Sequence, residues 1–248
     1  MSLQTLREYY YGEVDSTMTR AREIGAELPP GIGGFWVRAG HQTAGRGRRG
    51  KRWEDCSGSA LMVTLAVERG GPWDPGDPLP GTLALRAAAA VQESLGFFLS
   101  PSELSIKWPN DILARGRKIC GILTEADRRW FLIGIGINIH GAPQVQAEPR
   151  ATSLGEMVER SGCIWSGKAL TEALFPRLRR HLAEHLGGER WFSVVEQALA
   201  WRDSLVVAGE HCGVLSGIDS DGALLLKIHE GPSRMVQKIY SGTVRLKR

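Results

Sequence analysis

The stretch from Gln42 to Trp53 reads Gln-Thr-Ala-Gly-Arg-Gly-Arg-Arg-Gly-Lys-Arg-Trp, with Gly45, Gly47 and Gly50 set among Arg46, Arg48, Arg49, Lys51 and Arg52. It is strung between Phe35-Trp36-Val37-Arg38-Ala39, which reads as a strand, and Ala60 to Val67, which reads as a buried strand leaving the loop. A loop mounted on two strands has the scaffold that a site needs. Glycines let backbone N–H groups come close to an anion. Arginines add planar forks of donors that match carboxylate and phosphate oxygens. So basic a loop repels itself and is expected to be mobile until an anion neutralises it. Two other readings stay open on these residues alone: a solvated charged loop, and a patch for nucleic acid.

The rest of the chain narrows the choice. With 248 residues it can bury a substantial core, as one large domain or a large plus a small one. Its net charge of +4 fits an acidic ligand or partner and does not demand nucleic acid. Cysteines 56, 120, 163 and 212 are widely spaced without a Cys-x-x-Cys pair, so reduced thiols and a cytoplasmic location are expected. The first residues contain no apolar signal-type stretch, and no run approaches a membrane span.

Asp15-Ser16-Thr17 precedes Met18, Ala21, Ile24 and Gly25, a capped helical pattern. Ser16 or Thr17 can simply cap that helix, or can present helix-start N–H groups to a ligand acceptor. Prolines 72, 75, 78 and 80 mark a surface connection, and Leu83 to Leu95 reads as a helix able to pack closely on a sheet. In Lys107-Trp108-Pro109-Asn110-Asp111, Pro109 holds Trp108 out of helical conformation, and a hairpin follows near Arg115-Gly116. A lysine and an aspartate beside a stiff turn also suit a phosphate and a metal ion. Lys118 to Glu125 and Phe131 to Ile139 read as strands. Gly134 and Gly136 in the second run fit either close packing or a floor for a flat ligand. Ser166 to Leu186 and Trp191 to Trp201 read as helices, with Arg177, Arg179, Arg180 and His181 on a solvated face. Beyond Arg202 come short alternating strands, at Ser204–Val207, Cys212–Ile218, Ala223–Ile228, Met235–Tyr240 and Thr243–Leu246, with a strong turn at residues 219–222.

These motifs, in this order, resemble the biotin protein ligase family. The resemblance is carried by Ser16-Thr17, Gln42 to Gly50, Lys107 to Asp111, Lys118-Ile119-Cys120-Gly121-Ile122-Leu123-Thr124-Glu125 and Gly134-Ile135-Gly136-Ile137-Asn138, with Gly217 to Leu226 in the tail. It implies an α/β (α+β) fold: a mixed-sheet, class II synthetase-like catalytic domain over residues 1–202 and a small SH3-like β-barrel over residues 203–248. It also implies that biotin is adenylated by ATP, with Mg2+ beside the nucleotide. Biotin then passes to a lysine of a biotin carboxyl carrier protein or domain.

Carried over by position, Ser16, Thr17, Met18 and Gln42 would hold biotin, and Gly45, Gly47, Gly121, Gly134 and Gly136 would let backbone approach it. Arg46 and Arg48 would close over carboxylate and phosphate, and Lys118 would lie beside the bond being made. Trp53, Lys107, Asn110 and Asn138 would serve ATP, and Asp111 the metal. Arg46, Arg48, Lys107 and Lys118 would carry the catalysis. The winged-helix DNA-binding domain of some members has no room before Ser16, so no specific nucleic acid is expected, nor a membrane, while a homodimer is compatible. Departures are Ser57-Gly58-Ser59-Ala60 after the loop, Lys51 where arginine is common, and Thr243 where an acidic residue is common. A lipoate or octanoate ligase of the same fold, or a non-catalytic anion-binding module, are the competing readings.

Overall fold

A computed structural model describes residues 3–54, 58–76, 81–143, 148–160, 162–230 and 233–247. Seven strands form one mixed sheet: β1 (Glu8–Val14), β2 (Gly34–Gln42), β3 (Ala60–Glu68), β4 (Leu104–Lys107), β5 (Asp111–Ala114), β6 (Arg117–Ala126) and β7 (Trp130–Asn138). They lie in the order β1-β2-β3-β7-β6-β5-β4, with β1 and β2 parallel and the other neighbours antiparallel.

The two faces of this sheet are covered differently. Leu61, Val63, Leu65 and Val67 of β3 and Phe131, Ile133, Ile135 and Ile137 of β7 alternate onto one face. There they join the large core beneath helices α2 (Thr82–Leu95), α4 (Gly167–Leu186) and α5 (Arg190–Ala198). Ala87 to Ala90 are fully buried, so α2 packs close to the sheet as its alanine run predicts. Of the described helices, α1 (Thr17–Glu27) packs on the other face, over Phe35, Val37, Ala66, Trp130 and Leu132. The rest of it is the floor of a cavity.

Short α3 (Leu154–Glu159) precedes α4, and a second, antiparallel sheet follows α5: β8 (Leu205–Ala208), β9 (His211–Ile218), β10 (Leu224–Glu230), β11 (Ser233–Ile239) and β12 (Val244–Leu246), ordered β11-β10-β9-β8-β12. The turn at residues 219–222 closes β9–β10 through Asp219 N–H to the Ala223 carbonyl at 2.8 Å. The two sheets are tied together where Trp108 donates its indole N–H to the Gly222 carbonyl at 3.0 Å.

Three elements and one side chain depart from the sequence reading. Strand β1 alternates half-buried and exposed tyrosines, so it leaves no apolar run, and its pairing with β2 makes it a strand. Helix α3, one and a half turns long, carries too short a periodic pattern to read. Helix α5 stops at Ala198 because Leu199 and Ala200 pair with edge strand β4, Ala200 N–H donating to the Ile106 carbonyl at 2.9 Å. Arg179 is not solvated: its guanidinium lies 3.7 Å from Glu8 and stacks on Trp36 and Phe175. Nearby His181, His185 and Glu184 gather around Glu93, and Arg190 pairs with Glu93 at 2.5 Å in a network that joins α2, α4 and α5. Positions 55–57 and 77–80, which include Ser57 of the first departure and two of the prolines, lie outside the described residues.

Candidate active site

The junction between β1 and α1 builds one end of the cavity. Ser16 is the N-cap, its hydroxyl accepting from Met18 N–H at 3.3 Å, which leaves Thr17 as the first helical residue. The Thr17 N–H, which no helical carbonyl can accept, donates to Gln42 Oε1 at 2.8 Å, and the Thr17 hydroxyl donates to the same oxygen at 3.0 Å. Gln42 stands at the end of β2. A third side chain, Thr64 of β3, donates to the Thr17 hydroxyl at 2.9 Å from a fully buried position. The sequence reading missed Thr64, although a lone hydroxyl in the run Leu61 to Val67 was its signal.

The floor follows from strand register. Gly121, Gly136 and Met62 lie abreast on β6, β7 and β3, and the next row is Leu123, Gly134 and Thr64. A Cβ on Gly136 would stand 2.5 Å from the Trp53 indole, one on Gly121 2.8 Å from it, and one on Gly134 2.8 Å from Met18 Sδ. The glycines are therefore required because large side chains lie directly on the strands. The resemblance gave these glycines to biotin and Trp53 to the nucleotide; here the Trp53 ring itself covers Gly121 and Gly136.

The basic stretch is a closed hairpin. Arg46 and Arg52 pair across it, Gly47 N–H donates to the Lys51 carbonyl at 2.8 Å, and Trp53 N–H donates to the Gly45 carbonyl at 2.9 Å. Repulsion among its cations is offset by specific partners: Arg46 to Glu125 at 2.7 Å, and Arg48 to Asn110 Oδ1 at 3.0 Å and the Gly242 carbonyl at 3.4 Å. Gly45 does not line the cavity; its lack of a side chain admits the Trp53 carbonyl, 2.5 Å from where a Cβ would be.

Cations crowd the far end. Lys118 Nζ lies 2.7 Å from Asp111 Oδ1, and Lys107 Nζ lies 3.8 Å from Asp111 Oδ2. Burial holds the Lys107 ammonium below the usual lysine range; Asp111 opposes this, while Lys118 and Lys51 add to it. Burial, then neighbouring Arg49, lowers Arg48 similarly. Asp111 is the expected metal residue, but a carboxylate already shared by two ammonium groups does not fit a protein-held divalent cation. Asn138 donates to the Thr152 carbonyl at 2.9 Å, while its Oδ1 and the Trp53 Nε1 are buried without a hydrogen-bond partner among the described residues.

Apart from Gly45, every residue given a binding, catalytic or metal role from the sequence borders one cavity of about 610 Å³, a size suited to a small-molecule site. Thr243, and Val244 and Arg245 of β12, also border it. Fold and cavity together define an α/β enzyme with a neutral polar recess at one end of its pocket and clustered cations at the other.

The model of the Biotin/lipoate A/B protein ligase family matches residues 13–141. Biotin--[acetyl-CoA-carboxylase] ligase of Paracoccus denitrificans is 32% identical over 86% of this chain and 91% of its own length. The bifunctional ligase/repressor BirA of Bacillus subtilis is 31% identical over 96% of this chain and 73% of its own. The structure of biotin protein ligase from Aquifex aeolicus in complex with biotin and ATP aligns with a TM-score of 0.76 at 26% identity, over 98% of this chain and 99% of that one. The chain belongs to the biotin/lipoate A/B protein ligase family, and its fold is that of biotin protein ligases.

Proposed function

We propose that the cavity takes biotin at the Thr17–Gln42–Thr64 end and ATP at the Lys107–Asp111–Lys118 end, with the acid and the α-phosphate meeting between the two. The protein is a biotin–protein ligase. The biotin carboxylate attacks the α-phosphorus and pyrophosphate leaves; the ε-amine of a lysine on a biotin carboxyl carrier domain then attacks the acyl carbon of biotinyl-5′-adenylate and AMP leaves. Two anions must approach each other, so fixed cations aimed at the developing charge are the main requirement. Arg46, Arg48, Lys107 and Lys118 supply them. No serine or cysteine nucleophile is needed, and burial keeps the Cys120 thiol protonated. Residues 1–202 serve as the catalytic unit, and residues 203–248 as an SH3-like module that walls the nucleotide end. No side chain is assigned to magnesium.

The observation that carries this reading is the pairing of a neutral hydrogen-bonding recess with a cationic one in a single cavity. It favours biotin over lipoate, because a dithiolane ring brings no hydrogen-bonding group to this polar recess, whereas a ureido ring brings a carbonyl acceptor and two N–H donors. Asn138 Oδ1 and Trp53 Nε1, a buried acceptor and donor, suit a nucleobase. The test is exchange of labelled pyrophosphate into ATP: exchange that requires biotin supports the reading, and exchange with lipoate but not biotin overturns it. Weighing a carrier domain after incubation with biotin and ATP then reports the transfer.

A further inference from the structure

Trp201 turns the chain from α5 into the second sheet with φ 64°, a left-handed conformation that a bulky residue rarely adopts. The turn is fixed on both sides: Ala200 N–H donates to the Ile106 carbonyl at 2.9 Å, Ser204 N–H donates to the Trp201 carbonyl at 3.0 Å, and Asp203 N–H donates to the Leu215 carbonyl at 2.8 Å. Strain that the surrounding structure over-determines is a pointer to function. Here the strained turn places the indole beside one lysine of the site: Lys107 Nζ lies 5.6 Å from the centre of the Trp201 ring.

We propose that Trp201 is a positioning residue for Lys107, holding its ammonium towards the nucleotide end of the cavity; the proposal rests on the ligase reading above. Lys107 is nearly buried, and a buried ammonium needs stabilising contacts. Asp111 provides only part of this, since its close partner is Lys118 at 2.7 Å and Lys107 stands off at 3.8 Å. A second carboxylate would stabilise the ammonium but cancel the charge an incoming phosphate requires. The face of an indole ring favours a cation and leaves its formal charge intact. Trp201 thus counterweights Asp111, and because it lies in the link between α5 and β8, seating of the C-terminal sheet bears on the geometry of Lys107.

The experiment measures biotin-dependent pyrophosphate exchange and biotin binding for Trp201→Phe and Trp201→Leu, each in wild-type and Lys107→Met backgrounds. Trp201→Phe keeps an aromatic face and should stay within about twofold of wild type, on the scale of exposed against desolvated cation–π contacts. Trp201→Leu should lower kcat/KM for ATP by about tenfold and leave biotin affinity unchanged. In the Lys107→Met background the same change should have no further effect, since the interaction is already gone. A full additional loss there, or an equal loss in biotin binding, would show that Trp201 acts only through general stability and overturn the proposal. Failure of the ligase reading would show separately, as no biotin-dependent exchange by the wild-type enzyme.

Discussion

Gln42 Oε1 accepts two hydrogen bonds from one residue, the N–H and the hydroxyl of Thr17. That fixes which end of the Gln42 amide is the acceptor and leaves its NH2 group as the donor, while Thr64 donates to the Thr17 hydroxyl. Thr64→Val should therefore weaken biotin binding about tenfold, the consequence of losing one buried hydrogen bond worth roughly 1–1.5 kcal/mol. Thr64→Ser should restore it. Calorimetric titration with biotin checks both, and a Thr64→Val protein that binds biotin like wild type would remove Thr64 from the recognition network.

The two glycines of β7 should respond unequally to alanine. At Gly136 the new methyl meets the Trp53 ring at 2.5 Å, a rigid plane that must move as a whole. At Gly134 it meets the end of Met18, an adaptable side chain. Gly136→Ala should cost about 1–3 kcal/mol, the usual range for overpacking, and Gly134→Ala less than about 1 kcal/mol. Urea midpoints at constant m-value measure this. Equal losses would mean that the Trp53 ring does not lie on Gly136.

Much of this site was legible in the sequence because its chemistry is local. Ser16-Thr17, the arginine-glycine stretch, Lys107 to Asp111 and the Gly134-Ile-Gly136 run each join unusual residue types within a few positions, and all of them border the same cavity. What was not legible depends on register and on contacts distant in sequence. Whether Gly121 and Gly136 face ligand or an indole is decided by where Trp53 folds back. Thr64 gains meaning only when β3 lies beside α1. Arg245 meets the cavity and Trp201 meets Lys107 because distant parts of the chain pack together, and no spacing rule spans the roughly hundred residues between Lys107 and Trp201. The loop was expected to be mobile until an anion neutralises its charge; its hairpin form in the structure could not be read from the sequence, because Glu125, Asn110 and the Gly242 carbonyl, all remote in sequence, receive its arginines.

Adenylation should carry the titration of Lys107. Burial lowers its pKa from 10.5, so the charge that meets phosphate is lost at lower pH than for an exposed lysine. kcat/KM for ATP, which reports the free enzyme, should show an alkaline limb below that value. Lys107→Arg should move the limb upward, since a guanidinium stays charged. The effect on stability has the opposite sign: between the lowered folded pKa and 10.5 the unfolded chain binds more protons, so this group's contribution improves as pH rises through that window. A pH–rate profile unchanged by Lys107→Arg would assign the limb to another group.

Arg46 cannot serve a ligand while it is bound to Glu125. The pair is at 2.7 Å with the arginine side chain 42% exposed, and Glu125 also pairs with Arg22. Exposed pairs contribute about 0.2–1 kcal/mol, so breaking this one is a modest toll on any ligand that recruits Arg46. Glu125→Gln removes the toll in advance and should tighten biotinyl-5′-adenylate binding by up to about fivefold, the upper end of that range. In the empty protein the same change should make residues 46–52 easier for trypsin to cut, because the hairpin loses a tether. Adenylate should protect the stretch in both proteins. In an Arg46→Ala background the Glu125→Gln change should leave adenylate affinity unaltered, since there is no arginine left to release. Tightening that persists without Arg46 would place the effect of Glu125 on Arg22 and the general field of the pocket, and would remove Arg46 from the group that closes over the adenylate.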